Sequence, residues 1–312
     1  MSSVKKKPVV KVFGLGGRGV SALNYLIDKG LQGPVLVAAN TDLQDLRSSK
    51  APIKIQVGAK ALKGLGAGGN PENGKKGLSE ILPEIVGLLV GADLAVLISG
   101  LAGGTGSALP MVTRSLAARK EKPLMLAVTF SPFDWEDFRA PVAQKALRDL
   151  RNCGAVVLDI ANARICESYP ELSLLAAKKK ADEAIYRVMS ALTYFSDKDD
   201  FLKVLAKKGL AAIGYGEASG AERAKQALDS ALAHPLMSGF SLKDARGVLV
   251  NVVSSHRAKE SEIKTINRQI QDGVGQNVEI VSSVVVDDKV ADPESLRVTV
   301  IMTGLVEGRR KS

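Results

Sequence analysis

Three glycine-rich stretches hold the residue types best suited to chemistry. Gly14-Leu15-Gly16-Gly17-Arg18-Gly19 follows an apolar run, precedes a helical pattern and fits the G-x-G-x-x-G spacing. Glycines there permit a tight turn and close backbone approach to phosphate, at a helix N-terminus whose partial positive charge favours anions. Arg18 and Ser21 stand with Gly16 and Gly17 as candidate contacts. Alone, the pattern suits a dinucleotide-binding dehydrogenase or a plain strand–helix turn equally well. The second stretch, Gly100-Leu101-Ala102-Gly103-Gly104-Thr105-Gly106-Ser107, also follows an apolar run. Consecutive glycines free several backbone N–H groups to point at one anion. Thr105 and Ser107 add hydroxyl donors, and a helix is expected from about Ala108. The third, Gly64 to Glu72, is too glycine-dense for a helix or a strand. It reads either as a loop that senses the terminal phosphate of a polyphosphate through Gly68, Gly69 and Asn70, or as a surface loop. A dehydrogenase needs only the first of these stretches. No G-x-x-x-x-G-K-[ST] pattern occurs, and neither His234 and His256 nor Cys153 and Cys166 have metal-ligand spacing.

Positioning such loops requires strands that end beside one another. Short apolar runs at Val9–Phe13, Pro34–Ala39, Asp93–Ser99, Pro123–Thr129 and Ala155–Ile160 read as buried strands. Segments such as Ser79–Leu89 and Ala140–Leu150 have helical spacing between them. Alternating strands and helices imply a doubly wound parallel sheet, which binds ligands beyond the carboxyl ends of its strands. A long helix is expected over about Pro170–Tyr194, where Ile185, Val188, Met189 and Leu192 share a face. Then come Ala211–Gly214, a helix over about Ala221–Ala233, and strands at Gly247–Val253, Asn277–Val286 and Leu296–Thr303. This second half reads as a smaller α+β domain.

The 312 residues are 46% apolar and 24% charged, which suits a soluble globular chain of two ordinary domains or one large one, and with 4% aromatics the core must be mostly aliphatic. No apolar run approaches the ~18 residues of a membrane span. The lysine-rich start has no secretory apolar segment beside it, and the cysteine usage fits a reducing cytoplasm. A net charge of +10 could attract nucleic acid or anionic lipid. It reads equally as a solvated surface with basic ends. The clusters Lys5–Lys7, Lys178–Lys180 and Arg309–Lys311 lack interleaved aromatics, so no nucleic acid is expected.

In these residues the chain resembles FtsZ, the bacterial and archaeal relative of tubulin. Gly100–Ser107 is similar to the family's GGGTGTG signature, with Ala102 and Ser107 as substitutions. GLGAGGNPENGKKG (Gly64–Gly77), Asn40-Thr41-Asp42, and PFDWEDFR (Pro132–Arg139) resemble further family motifs. So do GYGEASGAERAKQAL, ARGVLVNVV and LRVTVIMTG in the second half. The resemblance covers roughly Val9 to Gly304. It implies a GTP-binding domain at 8–169, a central helix at 170–196 and a C-terminal α+β domain at 197–305, with basic tails at 1–7 and 306–312. It also implies GTP/GDP as ligand, with Mg²⁺ held mainly by the phosphates, and a head-to-tail homopolymer whose GTPase activity is completed at the subunit contact. The task implied is cell division in the cytoplasm.

Carried over residue by residue, the resemblance places Gly16, Gly17 and Gly103, Gly104, Thr105, Gly106, Ser107 around phosphates. Asn40 would lie near phosphate or ribose, and Gly68, Gly69 and Asn70 at the terminal phosphate. Glu136 and Arg139 would hold the ribose and phosphate side, Asn162 would contact the purine, and Asp182 would read guanine N–H groups. Asp197 and Asp200 match the catalytic aspartates that reach the next subunit's nucleotide. Departures are Phe195 at the motif's asparagine, Lys178 at the base-stacking phenylalanine, and a shortened segment before Asp197. A solvated acidic turn is the other reading of Asp197–Asp200, and a nucleotide-binding filament with little hydrolysis is the other reading of the whole. The chain also stops soon after its last strand, which implies no long tail for recruiting partners. Its basic ends could instead meet anionic membrane or an acidic partner.

Overall fold

The computed structural model describes residues 6–256, 258–287 and 292–306, in two compact units. Lys5 and the Arg309-Arg310-Lys311 cluster lie outside the described residues; Lys178, Lys179 and Lys180 are exposed.

The first unit, residues 8–186, is built on β1 (Val10–Leu15), α1 (Gly16–Asp28), β2 (Val35–Asn40), α2 (Leu43–Ser48), β3 (Ile53–Gln56), α3 (Pro71–Leu89) and β4 (Leu94–Gly100). It continues through α4 (Gly104–Ser107), α5 (Leu109–Ala117), β5 (Leu124–Ser131), a 3-10 turn (Asp134–Arg139), α6 (Ala140–Arg151), β6 (Val156–Ala161), α7 (Asn162–Ser168) and most of α8 (Leu174–Tyr194). Its strands run in the order β3-β2-β1-β4-β5-β6, all parallel. The order reverses between β1 and β4, so a crevice opens beyond their carboxyl ends. Leu94, Ala95, Val96, Leu97 and Ile98 are wholly buried, as expected of a strand covered on both faces.

Several elements depart from the sequence expectation for local reasons. α3 begins at Pro71, so the third glycine stretch is loop only to Asn70, whose side chain caps the helix by accepting the Glu72 N–H (2.9 Å). Gly74 and Gly77, at the end of the Gly64–Gly77 stretch that resembles a family loop, are helical. A Cβ at Gly74 would meet the Gly104 carbonyl oxygen at 2.3 Å, and one at Gly77 would meet Val57 and Gly58 at 3.0–3.2 Å. They mark close packing, not a turn. The second glycine stretch likewise turns helical at Gly104, ahead of Ala108. α8 starts at Leu174, after Ser173 accepts the Ala176 N–H on its hydroxyl (3.3 Å). β3 and α2 are too short to stand out in the sequence.

The second unit, residues 187–306 as described, holds the end of α8, then α9 (Lys198–Leu205), β7 (Gly209–Ser219), α10 (Arg223–Leu232), β8 (Gly247–Ser254), α11 (Glu260–Gly273), β9 (Glu279–Val286) and β10 (Ser295–Leu305). Its strands lie in the order β7-β10-β8-β9, with β10 antiparallel to both neighbours and β8 parallel to β9. β7 is longer than the expected Ala211–Gly214 because its polar end is held by pairing: Arg297 Nε donates to Glu217 at 2.7 Å. α10 lies hard against β7. A Cβ at Gly214 would fall 1.8 Å from the Ala231 carbonyl oxygen, and one at Gly216 2.2 Å from that of Ala227. The two glycines share a face of the strand, and the small Ala227 and Ala231 complete the contact.

Gly214→Ala and Gly216→Ala are each expected to destabilise the chain by about 1–3 kcal/mol. Gly87→Ala, in α3 with open space at its Cβ, is expected to stabilise by about 0.4–1 kcal/mol. Urea unfolding midpoints check both signs.

Candidate functional site

Two helix starts face the crevice between β1 and β4. α1 begins at Gly16 with no side-chain cap from Leu15, and α4 begins at Gly104 with none from Gly103. The first N–H groups of each therefore remain available, at the positive end of the helix dipole. α4 continues into α5 through Ala108, which has right-handed helical dihedrals. The two loops touch. Gly16 has φ +71°, and a Cβ there would meet Thr105 Cβ at 3.2 Å and the Gly106 nitrogen at 3.3 Å. Gly106 itself sits where a Cβ would fall 2.1 Å from the Gly100 carbonyl oxygen.

Two further segments lock onto this pair. The buried hydroxyls of Thr41 and Thr105 share a 2.7 Å hydrogen bond, joining the segment after β2 to the second glycine loop. Asn70 and Ala67 of the third loop pack on Gly104, where a Cβ would lie 2.7 Å from Asn70 O and Ala67 Cβ. Gly66 N–H donates to Thr41 O (3.2 Å), and Leu43 N–H to Gly64 O (3.1 Å). The three glycine stretches thus converge at one edge of the sheet. Gly68 and Gly69 are exposed, with φ of +60° and +73°, and nothing stands within 4 Å of where their Cβ atoms would be.

Both candidate hydroxyls of the second loop also bond within the protein. Ser107 Oγ donates to the Leu101 carbonyl at 2.6 Å, and Thr105 Oγ1 is engaged by Thr41. Both are buried, where hydroxyls are normally hydrogen-bonded, and these bonds brace the loop. Thr41 and Asp45 belong to the site and were missed. Asn40, 2% exposed, donates from Nδ2 to Asp45 Oδ2 (3.3 Å), and that carboxylate oxygen lies 2.8 Å from where a Cβ of Gly17 would be. The adjacent Asn40-Thr41-Asp42 motif was the available signal; Asp42 caps α2.

A second group lies along β5, β6 and α8. Arg18 spreads its guanidinium over the Phe130 ring, 3.7 Å from the centroid, and its Nη1 donates to Asp182 Oδ1 at 2.6 Å. Burial pushes the Asp182 carboxyl above its usual range, while Arg18 pulls it back. Asn162 is buried; its Nδ2 donates to Ser131 O (2.7 Å), and its Oδ1 has no hydrogen-bond partner among the described residues. Asp159 takes the Thr129 and Ser131 hydroxyls at 2.7 Å each. Its burial raises its pKa, against the lowering effect of those two bonds. Glu136 and Arg139 pair with each other (2.9 Å) beside exposed Trp135 and Phe138. Ser21 and Lys178 are exposed.

Asp197 and Asp200 belong to the second unit. Asp197 caps α9 by accepting the Asp200 N–H (3.3 Å), and Asp200 is exposed and pairs with Lys203 (3.3 Å). Phe195 is buried and stacks on Phe201 at 5.4 Å. A cavity of about 950 Å³ lined by Val86, Leu89, Leu116, Arg119 and Pro123 lies just before β4 and β5 begin. It is at the opposite sheet edge from the loops and holds none of the groups above.

The description "Tubulin/FtsZ family, GTPase domain" matches residues 9–170, and "FtsZ family, C-terminal domain" matches 209–306. The chain is 33% identical over 309 residues to cell division protein FtsZ 1 of Archaeoglobus fulgidus, covering 96% of this chain and 83% of that one. It is 32% identical over 310 residues to the cell division protein FtsZ of Magnetospirillum gryphiswaldense, covering 96% of this chain and 54% of that one, about half that relative's length. A solved structure of an empty FtsZ dimer of M. jannaschii superposes with a TM-score of 0.89 at 30% identity, over 98% of this chain and 94% of that one.

Asp159 carries a pH prediction. Its carboxyl has a higher pKa folded than unfolded, so the folded state binds the proton more tightly. Stability contributed at this position is therefore greatest below the unfolded pKa of ~3.9 and is lost as pH rises through the folded value. Asp159→Asn is expected to unfold at higher urea than wild type at pH 7, and that advantage is expected to shrink as pH is lowered towards ~4.

Proposed function

Since this chain belongs to the tubulin/FtsZ family, we propose that it binds GTP and GDP in the first unit, assembles head to tail into cytoplasmic filaments, and hydrolyses GTP at the subunit contact during cell division. The observation that carries this reading is the seating of two uncapped helix starts, Gly16–Arg18 and Gly104–Gly106, against each other beneath the Thr41–Thr105 hydrogen bond. Two converging sets of N–H groups suit a chain of phosphates better than a single one.

On this reading Gly16, Gly17 and Gly103–Gly106 cradle the phosphates, and Gly68–Asn70 border the terminal one. Glu136, Arg139 and Asn162 contact the nucleoside, and Asp182 accepts from guanine. A Mg²⁺ ion travelling with the nucleotide would offset phosphate charge. It would be held mainly by phosphate oxygens. Asp197 and Asp200 orient the attacking water on the next subunit's nucleotide. Among the described residues no helix is long and apolar enough to cross a membrane. Any attachment to anionic lipid would fall to the basic ends.

A second reading, a nucleotide-binding filament with little turnover, is favoured by the α9 cap. Asp197 already serves the Asp200 N–H, and Phe195 is committed to the hydrophobic interior of its unit. Phosphate release measured against protein concentration separates the two. Turnover per subunit is expected to rise with concentration, and Asp200→Ala is expected to lower it by about 10²-fold or more while GTP-dependent sedimentation persists. Release that is absent at every concentration, with sedimentation intact, favours the second reading.

A further inference from the structure

We propose that Arg18 determines base specificity in the nucleotide site, its guanidinium donating to the O6 carbonyl of guanine while Asp182 accepts from the neighbouring N1–H. This rests on the nucleotide-binding reading above and adds a residue to it. Arg18 belongs by its backbone to the first glycine loop, and its side chain runs from there across Phe130 to α8. A ligand whose phosphates sit at Gly16–Arg18 therefore has its nucleoside beside the Arg18–Asp182 pair.

The pair is joined at a single point. Nη1 donates to Oδ1 at 2.6 Å, whereas Nη2 is buried without a hydrogen-bond partner, and Oδ2 receives no hydrogen bond among the described residues. Arginine and a carboxylate commonly meet through two parallel bonds. Here the second donor and the second acceptor are both left over, on adjacent groups. The side chains are 24% and 14% exposed, so the pair is open to a ligand at one side. The proposal requires a rotation of the terminal guanidinium that turns Nη2 towards the ligand, whose acceptor would then relieve a buried unpaired donor.

Guanine offers an acceptor, O6, next to a donor, N1–H. Adenine offers the reverse, a donor amine next to an acceptor ring nitrogen, which would set donor against donor at Arg18 and acceptor against acceptor at Asp182. Burial raises the Asp182 pKa, and the adjacent Arg18 guanidinium opposes that rise. The single pair therefore accounts for both halves of the guanine edge, with Lys178 exposed one turn away on α8.

The test is calorimetric titration of the full chain, wild type, Arg18→Leu and Arg18→Lys, with GDP, IDP, ADP and 2-aminopurine riboside diphosphate. IDP keeps O6 and N1–H; the last two ligands lack both. Wild type is expected to prefer GDP and IDP by about tenfold or more. Arg18→Leu is expected to lose about that factor for GDP and IDP, with ADP and the 2-aminopurine ligand little changed. Arg18→Lys, which keeps a charged donor, is expected to retain part of the preference, and its thermal melt controls for folding. Equal losses for all four ligands would overturn the proposal, since Arg18 would then serve phosphate or the fold. Tighter GDP binding by Arg18→Leu would overturn it too, leaving Arg18 as a shield over Asp182. Wild type binding ADP as tightly as GDP would sink base reading alone, whereas no binding of any ligand would sink the nucleotide site with it.

Discussion

The site depends on backbone packing against backbone. Gly106 against Gly100, and Gly104 against Asn70 and Gly74, are approaches that a single methyl group would block, and Gly16, at a positive φ, lies close against Thr105 and Gly106. The Gly106 contact tightens the loop after β4, and the other two join it to the loop after β1 and to the third glycine stretch at the same edge of the parallel sheet. The order reversal between β1 and β4 makes the room, and the missing side chains let the loops fill it. The Thr41–Thr105 hydroxyl bond then ties the assembly to the segment after β2. Thr105 and Ser107 bond within the protein, and the helix starts at Gly16 and Gly104 carry no side-chain cap. Such fixed dipoles need little reorganisation to meet an anion.

The second unit uses the same device for a different end. Gly214 and Gly216 admit α10 onto β7 at near-contact distance, and Thr303 Oγ1 donates to Val204 O (2.7 Å) to bind α9 to the sheet. Phe195 and Phe201 fix the start of α9 from inside, while Asp197 caps it from outside. A segment expected to act in water activation is thus also a well-built helix start, where acidic residues are favoured by the helix dipole in any case. The capping role is visible in the structure; the catalytic role proposed for the same pair is read only from turnover.

Composition and pattern carried much of this. The alternation of apolar runs with helical spacing specified the parallel sheet, since strands buried on both faces leave no other reading. The three glycine stretches were legible as a candidate phosphate site, and Asn40 and Asp182 as candidate nucleotide contacts through the family motifs; the structure brings the three stretches together. What stayed hidden was local or long-range. α2 and β3 are shorter than the window over which periodicity can be judged. At the glycines of α3, 74 and 77, a lone sequence cannot tell a turn from a close contact.

The sequence by itself determined which residues would form the cradle, because glycine's permissiveness and the dipole of a following helix are properties of a few neighbouring residues. Tertiary structure alone decided what those residues face. Arg18 is separated from Asp182 by most of the first unit's chain, yet a guanidinium laid on Phe130 joins them at 2.6 Å. Thr41 and Thr105 meet through the sheet order, and Ser107 turns inward because the Leu101 carbonyl is there to receive it. Direction and partnership of side chains follow from packing across distant segments, which spacing along a chain does not encode.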